Sequence, residues 1–480
     1  MRLLDLAVIL AYLAGITWFG ARFRTGEQGL RQYFLGGREA PWWAIALSIV
    51  SAETSTLTVI GTPALAFAGN LGFLQLVLGY LLARIIISVL FLPHYFQGEM
   101  FTAYELMRRR FGERIRKLTA AIFLATRALA EGVRVFAVSL VVSIVLGTGE
   151  VASIILIVAL TLFYTFEGGM TAVIWTDVVQ MGLYVSGAVL SLVMIAGKIP
   201  GGLTHAVAAA AAAGKFSVFD FHFAPTMDFF SRPYTFWAGI AGGCFLTTAS
   251  HGTDQLMVQR LLSARNEQDS RKALLASWVM VAFQFTLFLL IGVLLWVYYG
   301  GPGKSVGAAD QVYPQFIWSN LPPGLAGLAI AAILAAAMAN LSAALNALSS
   351  TVVVDFLGAS SRLGEAGAMH RARAATVAWA AVLVAIGYAG RHSHSVLEAG
   401  LTIASIPSGA LLGVFLLGVL TRRPGEGAAI VGVVAGLASV LAVRFETPVA
   451  FTWYVMIGAT VTFTAALLAS WLGRGLARMR

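Results

Sequence analysis

The chain has 480 residues, 59% of them hydrophobic and only 11% charged, and a formal net charge of +10. Soluble domains carry about 25% charged residues, so this composition excludes a soluble globular protein and describes a polytopic membrane protein with no separate soluble domain. Cys244 is the single cysteine, which excludes an intrachain disulfide and argues against a cysteine metal site.

A spanning helix needs about 20 apolar residues. Thirteen candidates follow in chain order: 3–21, 42–68, 72–96, 118–147, 150–167, 174–196, 234–259, 273–299, 322–355, 373–390, 396–421, 427–444 and 449–472. The first has only Arg2 before it and no small-residue cleavage site, so it reads as a retained helix rather than a signal peptide. With the N-terminus outside and strict alternation, inside loops hold 22 of the 32 Lys and Arg residues, outside segments 7 and the spans 3. That bias fits the positive-inside rule and puts the C-terminus in the cytoplasm.

The second candidate contains S-A-E-T-S-T-L-T, Ser51 to Thr58, followed by Gly61 and Pro63. A carboxylate near the bilayer centre costs roughly 3 kcal/mol on insertion scales, so Glu53 is expected to face a cavity, a bundle interior or an ion path. Interrupted helices at that depth survive where their loose backbone groups meet ions, substrate or protein. This is the pattern of a transporter's first broken helix. Arg127 and Glu131 lie four apart on the fourth span and are expected to form a structural ion pair. Arg134 is placed to share Glu131 or to offer a fork to an anionic solute. Asp177 opens the sixth span, where it would steer or bind a cation, or serve as a helix N-terminal carboxylate.

The segment from Gly197 to Pro233 is expected to hold short interfacial helices, as an outer cap or a passive connector. Gly239 to Gln259 combines loosening glycines with Thr247, Thr248, Ser250, His251, Thr253, Asp254 and Gln255, and reads as a second broken helix five spans after the first. That separation is what an inverted five-plus-five repeat gives. The ninth span contains a small-residue-rich run, Ala335 to Asn346, in which Asn340, Ser342 and Asn346 offer oxygens to a hard monovalent cation.

These stretches resemble the sodium/solute symporter family, which includes sodium/glucose, sodium/proline and sialic-acid symporters. The most specific piece is Y-T-x-x-G-G-M-x-A, Tyr164 to Ala172, continuing through V-I-W-T-D-V-V-Q to Gln180. The others are Ser51–Glu53, the Y-E-L-M-R-R-R-F-G run ending at Gly112, and Thr253 to Ala264. The resemblance implies an all-α, broken-helix, five-plus-five inverted-repeat transporter. Its expected parts are an extra N-terminal helix (1–24), a first repeat (40–197), an outer segment (198–232), a second repeat (233–422) and two peripheral C-terminal helices (423–480). It implies sodium-coupled symport of a small organic solute by alternating access. The family's sodium ligands map to Leu47, Val50, Ala336, Ala339 and Asn340, and its second-site aspartate to Asp177. Ala339 stands where members usually carry a hydroxyl, which removes one ligand.

Glucose-type members carry a glutamate, a lysine and a glutamine where Val77, Val281 and Leu401 stand here, so hexose is disfavoured. The expected solute lining is Glu53, Thr54, Gln75, Arg134, Ser250, His251 and Thr402, and Arg134 leans toward a carboxylate. Proton coupling through Glu53 or Asp177 stays open, as does a membrane sensor of the same fold. Arg480 lies about eight residues beyond the last span, which counts against an appended signalling domain. No nucleophile–base set, H-E-x-x-H or phosphate loop points to an enzyme. The expected partners are the solute, the sodium ion and the lipid of a plasma or inner membrane. Neither nucleic acid nor an obligate protein partner is implied.

Overall fold

A computed structural model describes residues 3–23, 29–146, 148–301, 309–357, 364–390 and 396–478. Within these, the side chains at 57, 140, 141, 144–146, 310, 364–366, 390, 396–404 and 474–478 are not described. The described residues are helical apart from connecting segments and one isolated bridge, Ala40–Ala264. The long elements are α1 (Leu3–Ala21), α2 (Trp42–Glu53), α3 (Thr56–Ala68), α4 (Leu74–Tyr95), α5 (Glu113–Leu146) and α6 (Glu150–Lys198). They continue with α7 (Gly243–Gly252), α8 (Gln255–Leu262), α9 (Glu267–Tyr298), α10 (Leu325–Phe356), α11 (Gly364–Gly390), α12 (Val396–Leu420), α13 (Glu426–Glu446) and α14 (Tyr454–Arg478).

Among the described residues, eight helices are long and apolar enough to cross a membrane, or nine if α2 and α3 form one bent span. The count falls short of the sequence-based thirteen partly because 150–167 and 174–196 lie in one run, α6, as two helices that meet at a kink at Gly169, and because 234–259 is cut into short pieces. Within α6 the backbone leaves helical geometry only at Gly169 (φ 53°, ψ −145°). Glycine is required there, because a Cβ would lie 2.5 Å from the Tyr33 carbonyl oxygen. Strain and overlap together predict that Gly169→Ala destabilises the protein by about 3 kcal/mol, to be read as a lowered thermal midpoint in detergent.

The first break falls earlier than the Gly61–Pro63 pair suggests. Helix α2 ends at Glu53, Thr54 and Ser55 are extended, and the chain bends by 64°. The reason is local capping: the Ser55 side chain and backbone pair with Thr58 and restart the helix. Pro63 then rides inside α3. Its neighbour is the backbone of α9, since a Cβ on Gly292 would meet the Pro63 carbonyl at 2.1 Å. The second break separates α7 from α8 at Thr253–Asp254, after a π-turn at Ala238–Gly242. Asp254 caps α8 by accepting from the Leu256 amide at 2.9 Å.

Helix α10 is the centre of the bundle, with nearly every side chain buried, and it packs on α6, α1, α5, α11 and α2. Its alanines allow these close approaches. A Cβ on Gly187 of α6 would lie 2.8 Å from the Ala332 Cβ. The N-terminal helix α1 joins this core through Asp5, whose Oδ1 accepts from the Gly324 and Gly327 amides at 2.6 and 2.8 Å. A carboxylate at a helix N-terminus is favoured by the helix dipole.

The segment between α6 and α7 contains the short helices Gly202–Ala212 and Met227–Ser231. It is laced to the first broken helix. Lys215 Nζ donates to the carbonyls of Phe67 and Gly69 at 2.7 and 2.8 Å, capping the end of α3, and it sits 4.8 Å from the centre of the Trp296 ring.

Candidate functional site

A cavity of about 390 Å³ opens beside the first break, between α3, α4, α5, α7 and α9. Its polar wall is Glu53, Ser55, Thr58, Thr62, Tyr80 and Arg134. Its body is apolar and aromatic, with Leu65, Phe73, Leu76, Leu246, Phe285 and Phe451. The bend produces this wall, because ending α2 at Glu53 and restarting at Thr56 turns Ser55 and Thr58 toward the space that α3 leaves.

Glu53 does not face the cavity alone. Its Oε2 accepts from Arg84 Nη2 at 2.8 Å and lies 3.3 Å from His251 Nε2. Arg84 is fully buried and also donates to Ser277 Oγ at 3.1 Å, while His251 Nδ1 is 2.9 Å from Ser250 Oγ. Of the seven expected lining residues, Glu53 and Arg134 lie on the cavity wall. Ser250 and His251 form the layer behind Glu53, so they support the wall and do not form it. Thr54 is buried and donates to the Val50 carbonyl at 2.8 Å, with Gln284 and Tyr184 around its hydroxyl. Gln75 is fully buried. It donates to the Gly72 and Tyr234 carbonyls and accepts from the Asp220 amide, fastening the 198–236 segment instead of lining the cavity. The Thr402 side chain lies outside the described residues.

The expected Arg127–Glu131 pair is replaced by two others. Arg127 reaches across to Asp254 at the second break, and Glu131 Oε2 takes Arg134 Nη1 at 3.0 Å. The i,i+4 spacing allowed the first pairing, but Asp254 offers a carboxylate where a capped helix starts, and Arg134 lies one turn along from Glu131. Arg134 Nη1 also donates to Asn340 Oδ1 at 3.1 Å, and Asn340 Nδ2 donates to the Ala52 carbonyl at 2.7 Å. Asn340 therefore ties α10 to the end of α2 and to Arg134. Sequence reasoning named these residues but not this linkage, which brings together side chains more than 200 positions apart.

The other expected cation ligands are distributed differently. The Val50 carbonyl already accepts from the Thr54 amide and hydroxyl, and the Ala339 carbonyl accepts from Ser342 Oγ. Leu47 is half-buried, while Ala336 and Ala339 are fully buried on α10. Asn346 Oδ1 accepts from Gln259 at 2.7 Å. Asp177 does not stand at a mouth. It is fully buried, accepts from Ser48 Oγ at 2.5 Å and pairs with Arg260 at 2.8 Å. Sequence reasoning used Arg260 only as an inside-loop charge in the orientation tally and as part of the Thr253–Ala264 stretch, whereas the structure buries it within α8.

Two helices broken in mid-bundle, with part-buried ion pairs at both breaks and a cavity beside the first, are the parts from which a membrane transporter is built. The chain belongs to the sodium:solute symporter family, whose model matches residues 33–436. Its class is sodium-coupled symport across a membrane. It is 29% identical over 482 residues to the sodium/sialic acid symporter SiaT of Proteus mirabilis (strain HI4320), covering 97% of this chain and 95% of that one. It is 28% identical over 420 residues to the human sodium-coupled monocarboxylate transporter 1, covering 86% of this chain and 68% of that one. The substrate-bound, outward-open structure of a Na+-coupled sialic acid symporter matches with a TM-score of 0.87 at 26% identity, over 98% of each chain. Mhp1, a nucleobase-cation-symport-1 family transporter, matches at 0.61 and 14% identity over 94% of this chain and 96% of that one, which speaks to the fold alone.

Proposed function

We propose that the protein carries a small organic solute with one carboxylate and a largely apolar body into the cell, driven by inward sodium movement. The observation that supports this reading is Arg134 on the polar wall of a cavity whose remaining surface is mostly aliphatic and aromatic. A guanidinium fork suits a carboxylate. The N-terminus of α3 adds the positive end of a helix dipole beside Ser55 and Thr58, although the Thr58 and Val59 amides already donate to the Ser55 carbonyl. A polyhydroxylated sugar would meet few partners on Phe73, Leu76, Phe285 and Phe451, and buried polar groups without partners are costly. Relatives named for monocarboxylates and for sialic acid share a carboxylate on the solute, and the apolar body of this cavity favours the monocarboxylate over the hydroxyl-rich sialic acid. Transport proceeds by alternating access in a thirteen-span, N-terminus-outside arrangement, with the repeats 40–197 and 233–422 moving against each other.

Uptake into proteoliposomes tests this. Benzoate, butyrate, sialic acid and glucose are offered with an inward sodium gradient, a proton gradient or neither. Sodium-driven accumulation of benzoate or butyrate, with glucose at background, is expected. Accumulation driven by protons alone would transfer the coupling to protons, and preference for glucose would overturn the carboxylate assignment.

A further inference from the structure

A separate cavity of about 180 Å³ lies where the chain enters α2. Gly36, Glu39 and Pro41 line one side, and Thr171, Ile174 and Trp175 of α6, just past the kink at Gly169, line the other. Tryptophans mark its level in the bilayer. Trp43 meets the Trp175 ring edge-on at 5.6 Å, and Phe23 stacks on it at 6.5 Å. Trp18, Trp42 and Trp43 are 64%, 40% and 43% exposed, and the Arg22 guanidinium sits 4.6 Å from the centre of the Trp18 ring. Exposed tryptophans beside arginines belong to the headgroup layer, where an amphipathic ring meets both lipid and water. Glu39 is the one charged residue that lines the cavity. It is exposed, and among the described residues its carboxylate takes no hydrogen bond and no ion pair. The adjacent arginines are directed elsewhere. Arg265 Nη2 donates to the Glu39 carbonyl at 3.2 Å, and the Arg38 guanidinium lies 5.6 Å from the centre of the Phe96 ring. Thr171, in the same wall, has a buried hydroxyl without a hydrogen-bond partner.

We infer that this cavity binds the headgroup of a zwitterionic phospholipid, with its ammonium between Glu39 and Trp175 and its phosphate toward Arg265. An unpaired carboxylate beside a tryptophan ring suits an ammonium twice over, through the opposite charge and through the negative face of the ring. A simple cation would be repelled by Arg38 and Arg265, whereas the phosphate of a zwitterionic headgroup is drawn to them. An anionic headgroup would satisfy the arginines and leave Glu39 unpaired. The size agrees, since pockets for drug-sized ligands run to roughly 300–1,000 Å³ and this one holds a group of a few heavy atoms. A headgroup held there braces the start of the first broken helix against α6, beside the one isolated bridge, Ala40–Ala264.

Native mass spectrometry of the purified full-length protein tests this, with dioleoyl phosphatidylethanolamine, phosphatidylcholine or phosphatidylglycerol added one at a time. Taking the affinity ratio of phosphatidylethanolamine to phosphatidylglycerol cancels what the matched acyl chains contribute. A ratio of about fivefold is expected in the wild type, from one exposed ion pair and one cation–π contact. In Glu39→Gln it is expected to fall close to one, and in Trp175→Leu by about twofold. Phosphatidylcholine keeps the positive charge without N–H donors, so an intermediate affinity is expected. Glu39 is exposed and its carboxylate unpartnered, so Glu39→Gln is expected to fold normally and keeps the test decisive if Trp175→Leu does not. A wild-type ratio of one or below overturns the inference, as does a ratio that Glu39→Gln leaves unchanged.

Discussion

Arg134→Ala is expected to reduce carboxylate uptake at sub-saturating solute by on the order of a hundredfold, while the protein still folds. A hydrogen-bonded, charge-assisted contact is worth about 1.5–3 kcal/mol, and a bidentate one lies at the upper end. Arg134→Lys keeps the charge but loses the planar fork, so an intermediate loss of about tenfold is expected. A folding defect would lower transport of every substrate alike. The discriminating measurement is therefore the uptake ratio of a carboxylate to its neutral amide, for example benzoate to benzamide. In the wild type the ratio is expected to favour the carboxylate strongly, and in Arg134→Ala to fall close to one. A ratio unchanged by the substitution would remove Arg134 from solute recognition and leave it as the partner of Glu131 and Asn340 alone.

The two broken helices were legible because polar and glycine residues interrupt apolar runs where lipid tolerates neither. Glu53 with its neighbouring hydroxyls, and the polar, glycine-containing Gly239–Gln259 stretch, signalled which helices break without any tertiary information, but not where: the second break falls at Thr253–Asp254 and not at the glycines. What the sequence did not contain is which way a buried polar side chain points. Gln75 and Arg134 read alike, as polar residues in apolar spans, yet one fastens a loop segment and the other faces a cavity. The same limit explains Arg127. Helical spacing ranks Glu131 as its partner, but Asp254 is 127 residues away and becomes available only when α7 ends. The Gly61–Pro63 pair was the misleading signal: strong helix breakers in sequence, they are accommodated because α9 packs a glycine against them. Local capping by Ser55 and Thr58 decided where the helix stopped.

Arg260→Met is expected to be among the most destabilising single substitutions in the chain. Arg260 and Asp177 are 1% and 0% exposed and 2.8 Å apart, and Arg260 also donates to the Ser48 carbonyl and hydroxyl. The cluster joins α2, α6 and α8, the helices around both breaks. Removing one partner of a buried pair leaves an uncompensated charge and costs about 3–5 kcal/mol, whereas replacing both with neutral groups is often close to neutral. The double variant Asp177→Asn/Arg260→Met is therefore expected to recover most of the thermal midpoint lost by Arg260→Met. Non-additivity of this kind is the signature of direct coupling. If the double variant is as unstable as the sum of the two single ones, the pair is not acting as a unit, and Arg260 stabilises the fold through Ser48 and the α2 backbone instead. Uptake by the recovered double variant then separates architecture from mechanism. Transport near the wild-type rate would make the pair a brace between α2, α6 and α8. A stable but inactive double variant would give Asp177 a part in the cation's path.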